Sequence, residues 1–296
     1  MKALKSWFGL FRREYLEHRL PFVWLPLGIL ALLTLAAVYS LGTNRSDMTM
    51  GIATPLALQV FEIGCLGLVT FWLGYLMIAQ FFYFADTFNA DRRNNAIFFW
   101  KSMPVSDLKI LTAKFLAGTG VFALILFLIA LVSGLVFFLL FNVAGLLMHN
   151  LLLPDPLTLL GSLVQVSLFA LVYWVLTMIW FAPIFAWVAG LSAVVGRWSI
   201  ALAFVVPGLI IVVENIIFFR YVPRGGYFWG FLSHRITPLE LGLTEQDLTK
   251  LAGIPFKAGD FIGRLIANVD WPGMIGGVAF TVIVIALASE WRRTRL

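Results

Sequence analysis

Long apolar runs separated by short polar stretches dominate the chain. Six of them, at about 22–41, 60–84, 112–140, 162–190, 200–219 and 272–289, hold enough hydrophobic residues in succession to cross a bilayer. A helix rises 1.5 Å per residue, so about 20 such residues bridge a hydrocarbon core roughly 30 Å thick. In lipid a single segment must satisfy its own backbone hydrogen bonds, and a helix does so. The pattern therefore predicts an all-α, polytopic membrane protein with six transmembrane helices. The third and fourth runs exceed the required length and are expected to tilt or project beyond the lipid. Pro183 is expected to kink the fourth, because proline lacks a backbone donor and clashes with the preceding turn.

The polar stretches carry their own pattern. Residues 1–20 alternate Lys2, Lys5, Arg12, Arg13 and Arg19 with Trp7, Phe8, Leu10, Phe11, Tyr15 and Leu16. This predicts an N-terminal interfacial amphipathic helix, ended by Pro21. It makes a poor signal peptide, since its charged region is long and the run that follows can span a bilayer. Between the fifth and sixth runs, 220–271 forms an extracytoplasmic segment. Within it, Thr244 to Asp247 reads as a capped helix start and 258–268 as a second short helix. The whole of 1–296 reads as a single transmembrane domain without internal repeats.

Lysine and arginine set the orientation. They crowd the N-terminal segment, the 85–114 stretch (Arg92, Arg93, Lys101, Lys109, Lys114), the 191–199 turn (Arg197) and the tail (Arg292, Arg293, Arg295). The 42–59 and 141–161 loops hold Arg45 between them. The positive-inside rule then places both termini in the cytoplasm. The 220–271 segment also holds basic residues, balanced by acidic ones, and long loops cross largely regardless of charge.

Composition strengthens the membrane assignment. The chain is 61% hydrophobic and 12% charged, with mean hydropathy +0.95. A soluble domain runs nearer 45–50% and about 25%, so lipid must be the solvent for most of this surface. The net charge of +6 sits at the ends of apolar runs, which fits anionic headgroups rather than a nucleic-acid stripe.

Candidate chemistry is sparse. His18, His149 and His234 fall in separate polar segments without metal-ligand spacing. The lone Cys65 lies in an apolar stretch, and within one chain it can form neither a disulfide nor a cysteine metal site. No phosphate-binding Gly-x-x-x-x-Gly-Lys-Ser/Thr loop occurs, so the chain is not expected to hydrolyse ATP itself, and no enzyme constellation gathers. Glu62 and Glu214 lie in or beside spans. Intramembrane carboxylates are functional candidates, so a substrate path past these two is one expectation, and simple solvation near the outer interface is the other.

The most informative stretch is the 86–111 loop. A polar turn of Asp91, Arg92, Arg93, Asn94 and Asn95 leads to an apolar patch of Ile97, Phe98, Phe99 and Trp100, followed by Lys101. Pro104 then breaks the chain, and Ser106 with Asp107 can cap the helix that becomes the third span. An exposed aromatic patch in such a loop must meet lipid or protein.

Asp91-Arg92-Arg93, Pro104-Val105-Ser106 and Lys114 resemble the loop between the second and third spans of bacterial ABC-2 type transporter permeases. The order of interfacial helix, six spans, long outer segment and basic tail is similar too, although the outer segment is large for the simplest members. The resemblance implies a permease subunit of an ATP-binding cassette transporter, an exporter, in the bacterial plasma (inner) membrane. It implies a homodimer of permeases bound to two cytoplasmic ABC ATPase subunits, with ATP and Mg on those partners and no cofactor in this chain. Residues 91–102 would form the cytoplasmic coupling helix, with Asp91, Arg92, Arg93, Asn94, Phe98, Phe99, Trp100 and Lys101 meeting the ATPase. The alternative is an ATP-independent membrane anchor or assembly protein whose aromatic loop recruits a cytoplasmic partner.

Overall fold

A computed structural model of the chain describes residues 2–43, 54–93, 106–147, 153–218, 226–237, 239 and 256–294. The described residues are almost wholly helical, with no strand among them. Five stretches are long and apolar enough to cross a membrane: Ser6–Gly42, Leu56–Ala90, Asp107–Leu147, Pro156–Ile217 and Trp271–Thr294.

The first stretch joins α1 (Lys2–Arg19) to α2 (Leu25–Gly42) through a wide π-type turn, Leu20–Trp24. Pro21, expected to end the first helix, instead stands at the start of that turn. There its missing N–H costs no regular bond, and its carbonyl accepts from the Tyr75 hydroxyl at 2.5 Å. The bend falls earlier, at His18, whose backbone leaves helical geometry.

The second helix, α3 (Thr54–Arg93), outlasts its apolar run by three turns. No glycine or proline lies between Phe82 and Asn95, so nothing stops the helix where hydrophobicity ends. Asp91, Arg92 and Arg93, expected in a polar turn, therefore belong to its last turn. After the loop, Ser106 accepts from the Lys109 amide at 3.4 Å and starts α4 (Asp107–Leu116). A second wide turn, Ala117–Phe122, carries α4 into α5 (Ala123–Leu147). The two wide turns meet, with Phe22 stacked on Phe122 at 4.1 Å.

The fourth stretch comprises two helices. α6 (Pro156–Val195) runs through Pro183 as one 40-residue helix. At Gly196, φ of +61°, a conformation glycine adopts readily, turns the chain into the short link Gly196–Trp198 and then α7 (Ser199–Ile217). Beyond it come α8 (Tyr227–Ile236), α9 (Ala258–Asn268) and α10 (Trp271–Thr294). Helix α9 coincides with the second short helix expected at 258–268. The start expected at Thr244 to Asp247 lies outside the described residues.

Cross-contacts give the helix directions. Gln80 donates to the Gly118 carbonyl and Trp72 to Ser133, while Phe61 stacks on Phe137, so α3 and α5 are antiparallel. Glu62 meets Ser162 and Phe88 meets Ser192, so α3 and α6 are parallel. Ser199 donates to the Ala85 carbonyl and Phe204 lies on Phe81, so α7 runs back against both. Gly277 faces Pro183 and Gly190 faces Val284, which makes α10 parallel to α6. One end of the bundle, here called the base, thus gathers α1, the end of α3, α4, the Gly196 turn and the end of α10.

Lipid supplies no hydrophobic force between helices, so their fit depends on close packing. Helix α6 is the central strut, touching α3, α5, α7, α9 and α10. Its buried Ala182, Ala186, Ala189 and Ala193 repeat at three- and four-residue spacing, which lets α10 approach with its own small residues Gly277, Thr281, Ala288 and Ser289. One extended core cluster runs along these helices and includes the almost fully buried Trp72, Phe84, Phe88 and Phe122.

Candidate functional site: the charged base beside the 94–105 loop

Two ion pairs tie the base together, and both involve α4. Helix α1 turns one face inward, with Trp7, Leu10, Phe11, Glu14 and His18 following helical spacing. Leu10 packs on Ile110 and Ala113 of α4. One turn further, Glu14 meets Lys114 at 3.4 Å, the side chains 4% and 3% exposed. The Lys114 ammonium also donates to the Thr87 carbonyl of α3 at 3.1 Å. The Tyr83 hydroxyl lies where it can donate to Glu14 Oε2 at 3.1 Å or to the Lys114 carbonyl at 3.0 Å. His18 sits 3.8 Å from the same carboxylate, edge-on to the Tyr83 ring.

At the other end of α4, Asp107 meets Arg292 of α10 at 3.2 Å, the arginine side chain 5% exposed. Between these pairs, Lys109 donates to Ser6 at 2.9 Å and stands over the Trp7 ring. A ten-residue helix thereby holds both terminal helices and α3. A buried pair adds little net stability, because desolvation offsets its Coulomb energy, but removing one partner leaves a charge stranded. Such pairs fix which helices meet.

Of the residues expected to contact a partner, three lie at the end of α3 and five outside the described residues. Asp91, Arg92 and Arg93 end α3, with side chains outside the described residues. Asn94, Phe98, Phe99, Trp100 and Lys101 also lie outside the described residues. The stretch expected as a loop over 86–111 is helical at both of its ends, because α3 continues to Arg93 and α4 begins at Asp107. The sequence pointed to Lys114 and Asp107 but not to their partners Glu14 and Arg292. A buried-face position for Glu14 in α1's amphipathic pattern was the available signal.

Glu62 and Glu214 lie at the opposite end and are occupied by backbone. Glu62, buried, accepts from the Ser162 hydroxyl at 2.7 Å and from the Phe256 amide at 2.9 Å. Beside it, Gln165 accepts from the Ala258 amide at 3.0 Å, satisfying an N–H in the first turn of α9. Glu214 accepts from the amides of Tyr227 and Phe228 at 2.8 and 3.0 Å, so it caps α8 from thirteen residues upstream. Gly226, with φ of +89°, permits that approach, since a Cβ there would fall 2.6 Å from the carboxylate.

Arg235, missed in the sequence, is with Glu62 the second buried charge at this end. Its guanidinium lies 4.1 Å over the Trp180 ring and donates to the Gly273 carbonyl at 3.1 Å. Trp180 in turn donates to the Arg235 carbonyl at 3.1 Å. Asp270 accepts from the Gly273 amide at 3.0 Å, and that bond, aided by His234 at 3.4 Å, holds its carboxyl below the usual value. Among the described residues, no three His, Cys, Asp or Glu side chains gather to hold a metal.

Comparison of the chain with protein-family models, with curated proteins and with solved structures returns no match.

Proposed function

We propose that this chain is the membrane subunit of an ATP-driven transporter of the ABC-2 permease type, working as a pair with two cytoplasmic ATPase subunits. In this proposal α2, α3, α4–α5, α6, α7 and α10 make six crossings with both termini in the cytoplasm. Support for six comes from the antiparallel packing of α6 and α7, each long enough to cross on its own. Support for the orientation comes from the basic residues that collect at the base.

The observation that carries the proposal is the wiring of α4. The expected coupling loop connects α3 to α4 in sequence, and α4 is tied through Glu14–Lys114, Lys109–Ser6 and Asp107–Arg292 to α1 and α10. A partner seated on this loop would move four helices together. ATP binding on that partner would bias the pair of permeases between two arrangements, as a coupling between sites requires.

Detergent purification of the tagged chain with its partners tests this. An ATPase carrying a phosphate-binding loop is expected to co-purify, and Arg92→Glu or Trp100→Ala is expected to release it while leaving the chain folded. Recovery of a different partner through the same loop would favour the anchor alternative. Retention of the ATPase by both variants would remove residues 91–102 from the coupling role.

A further inference from the structure

One lipid-facing feature is independent of whether an ATPase drives the chain. Between the α4–α5 strand of helix and α10 lies an apolar groove of about 560 Å³, floored by α6. Leu124, Val175, Val278 and Val282 on its rim are exposed on the outside of the chain, so the groove opens sideways at the depth of the long apolar helices. The wide turn Ala117–Phe122 forms part of one wall, contributing Thr119 and Gly120. Wide turns of this kind often mark functional places in helices.

The chemistry of the lining selects its occupant. Thr119 donates to the Phe115 carbonyl, Thr281 to the Gly277 carbonyl and Trp174 to the Ala123 carbonyl. These three donors are spent on the protein's own backbone, Thr112 adds one further hydroxyl, and no charged residue is among the described lining. A sugar, a peptide or an inorganic ion would lose its hydration there with nothing in return. A hydrocarbon chain loses nothing and gains dispersion contacts.

Charge complementarity selects the head of that occupant. Val278, Thr281 and Ile285 line the groove from α10, and Arg292 lies two turns beyond Ile285 on the same helical face. Arg292 pairs with Asp107 on the other wall, and neighbouring Arg293, largely exposed, pairs with Glu290 at 2.9 Å. Lys109 stands one turn before Thr112 on α4. The base end of the groove thus carries three cations against two carboxylates, a small positive excess. Basic pockets between membrane helices on this side attract phosphate headgroups.

We infer that the groove seats one acyl chain of an anionic membrane phospholipid, its phosphate lying at the base end near Lys109, Arg292 and Arg293. The test places the purified chain in phosphatidylcholine nanodiscs containing a phosphatidylglycerol with a photoactivatable acyl chain, and maps the adducts by mass spectrometry. Labelling of 112–127 and 278–285 is expected to exceed that of the exposed face of α7 about fivefold or more. Gly120→Leu, where no atom lies within 4 Å of an added Cβ, is expected to lower groove labelling to a similar degree. Val282→Trp fills the groove from the facing wall and serves if the first variant fails to fold. Gly74→Leu, equally open but on α3, is the control expected to change nothing. Arg293→Gln with Lys109→Gln is expected to abolish the preference for the phosphatidylglycerol probe over a phosphatidylcholine probe of the same chain. Even labelling of all lipid-facing helices, or labelling indifferent to Gly120→Leu and Val282→Trp, would overturn the inference. So would disulfide-trapped dimers through Leu124→Cys and Val282→Cys that exclude the label, since a second copy would then fill the groove.

Discussion

The two ends of the bundle bury charge in different ways. At the base, charged side chains meet charged side chains on other helices: Glu14 with Lys114, and Asp107 with Arg292. At the opposite end the buried groups meet mainly backbone: Glu62 holds the Phe256 amide as well as the Ser162 hydroxyl, Glu214 caps α8, and Arg235 holds the Gly273 carbonyl, while the Asp270–His234 pair there is exposed. A side-chain pair can lengthen or exchange partners as helices slide, because both groups carry flexible stems. A carboxylate bound to two amides of one helix turn fixes a segment in one place. In the transporter proposed above, movement would fall at the base and rigidity at the far end.

The largest effect is expected at the base. Glu14→Ala leaves Lys114 stranded and should lower stability by about 3–5 kcal/mol, with Glu14→Leu plus Lys114→Met recovering most of it. Thermal unfolding in detergent reads both. Equal losses in the single and double variants would mean that Glu14 and Lys114 do not act as a pair.

At the far end the effects should be smaller and local. Glu62→Ala removes an acceptor shared by Ser162 and Phe256, and a charged acceptor of this kind contributes about 1.5–3 kcal/mol. Hydrogen exchange should quicken in 256–268 and remain unchanged in α4. Quickening in α4 as well would erase the distinction between the two ends. Glu214→Ala removes a cap, with about 0.5–2 kcal/mol expected, and the faster exchange should be confined to α8.

The smallest effect is a pH dependence at Asp270. Its folded carboxyl titrates below the unfolded value of 3.8, so its contribution is complete above that pH and fades as pH falls through the lower, folded value. The difference in melting temperature between the wild type and Asp270→Asn should therefore be steady from pH 5 to 7 and shrink below about pH 4. A difference that grows on acidification would reverse the sign and the account of Asp270.

The long apolar helices were legible because bilayer thickness turns length and hydropathy into a criterion readable in the sequence, although five stretches meet it where six were expected. Their ends were less so. Helix α3 runs on to Arg93 because helix propensity persists after hydrophobicity stops, and Pro21 is absorbed by a wide turn that no local signal announces. Ser106 was readable as a cap, since its bond to Lys109 is local. Partners distant in sequence were not readable. Glu14 lies a hundred residues from Lys114, and Glu214 reaches α8 through the turn that Gly226 permits. Arg235 looked like one more cation of a wet outer segment, and its burial depends on Trp180 and Gly273 arriving from α6 and α10.

The most direct test compares hydrogen exchange with and without ATP in the chain purified together with the ATPase proposed as its partner in nanodiscs. The account predicts altered exchange in residues 2–19 and 107–116, with 258–268 unchanged. Exchange altered chiefly in 227–236 and 258–268, with the base unmoved, would contradict it.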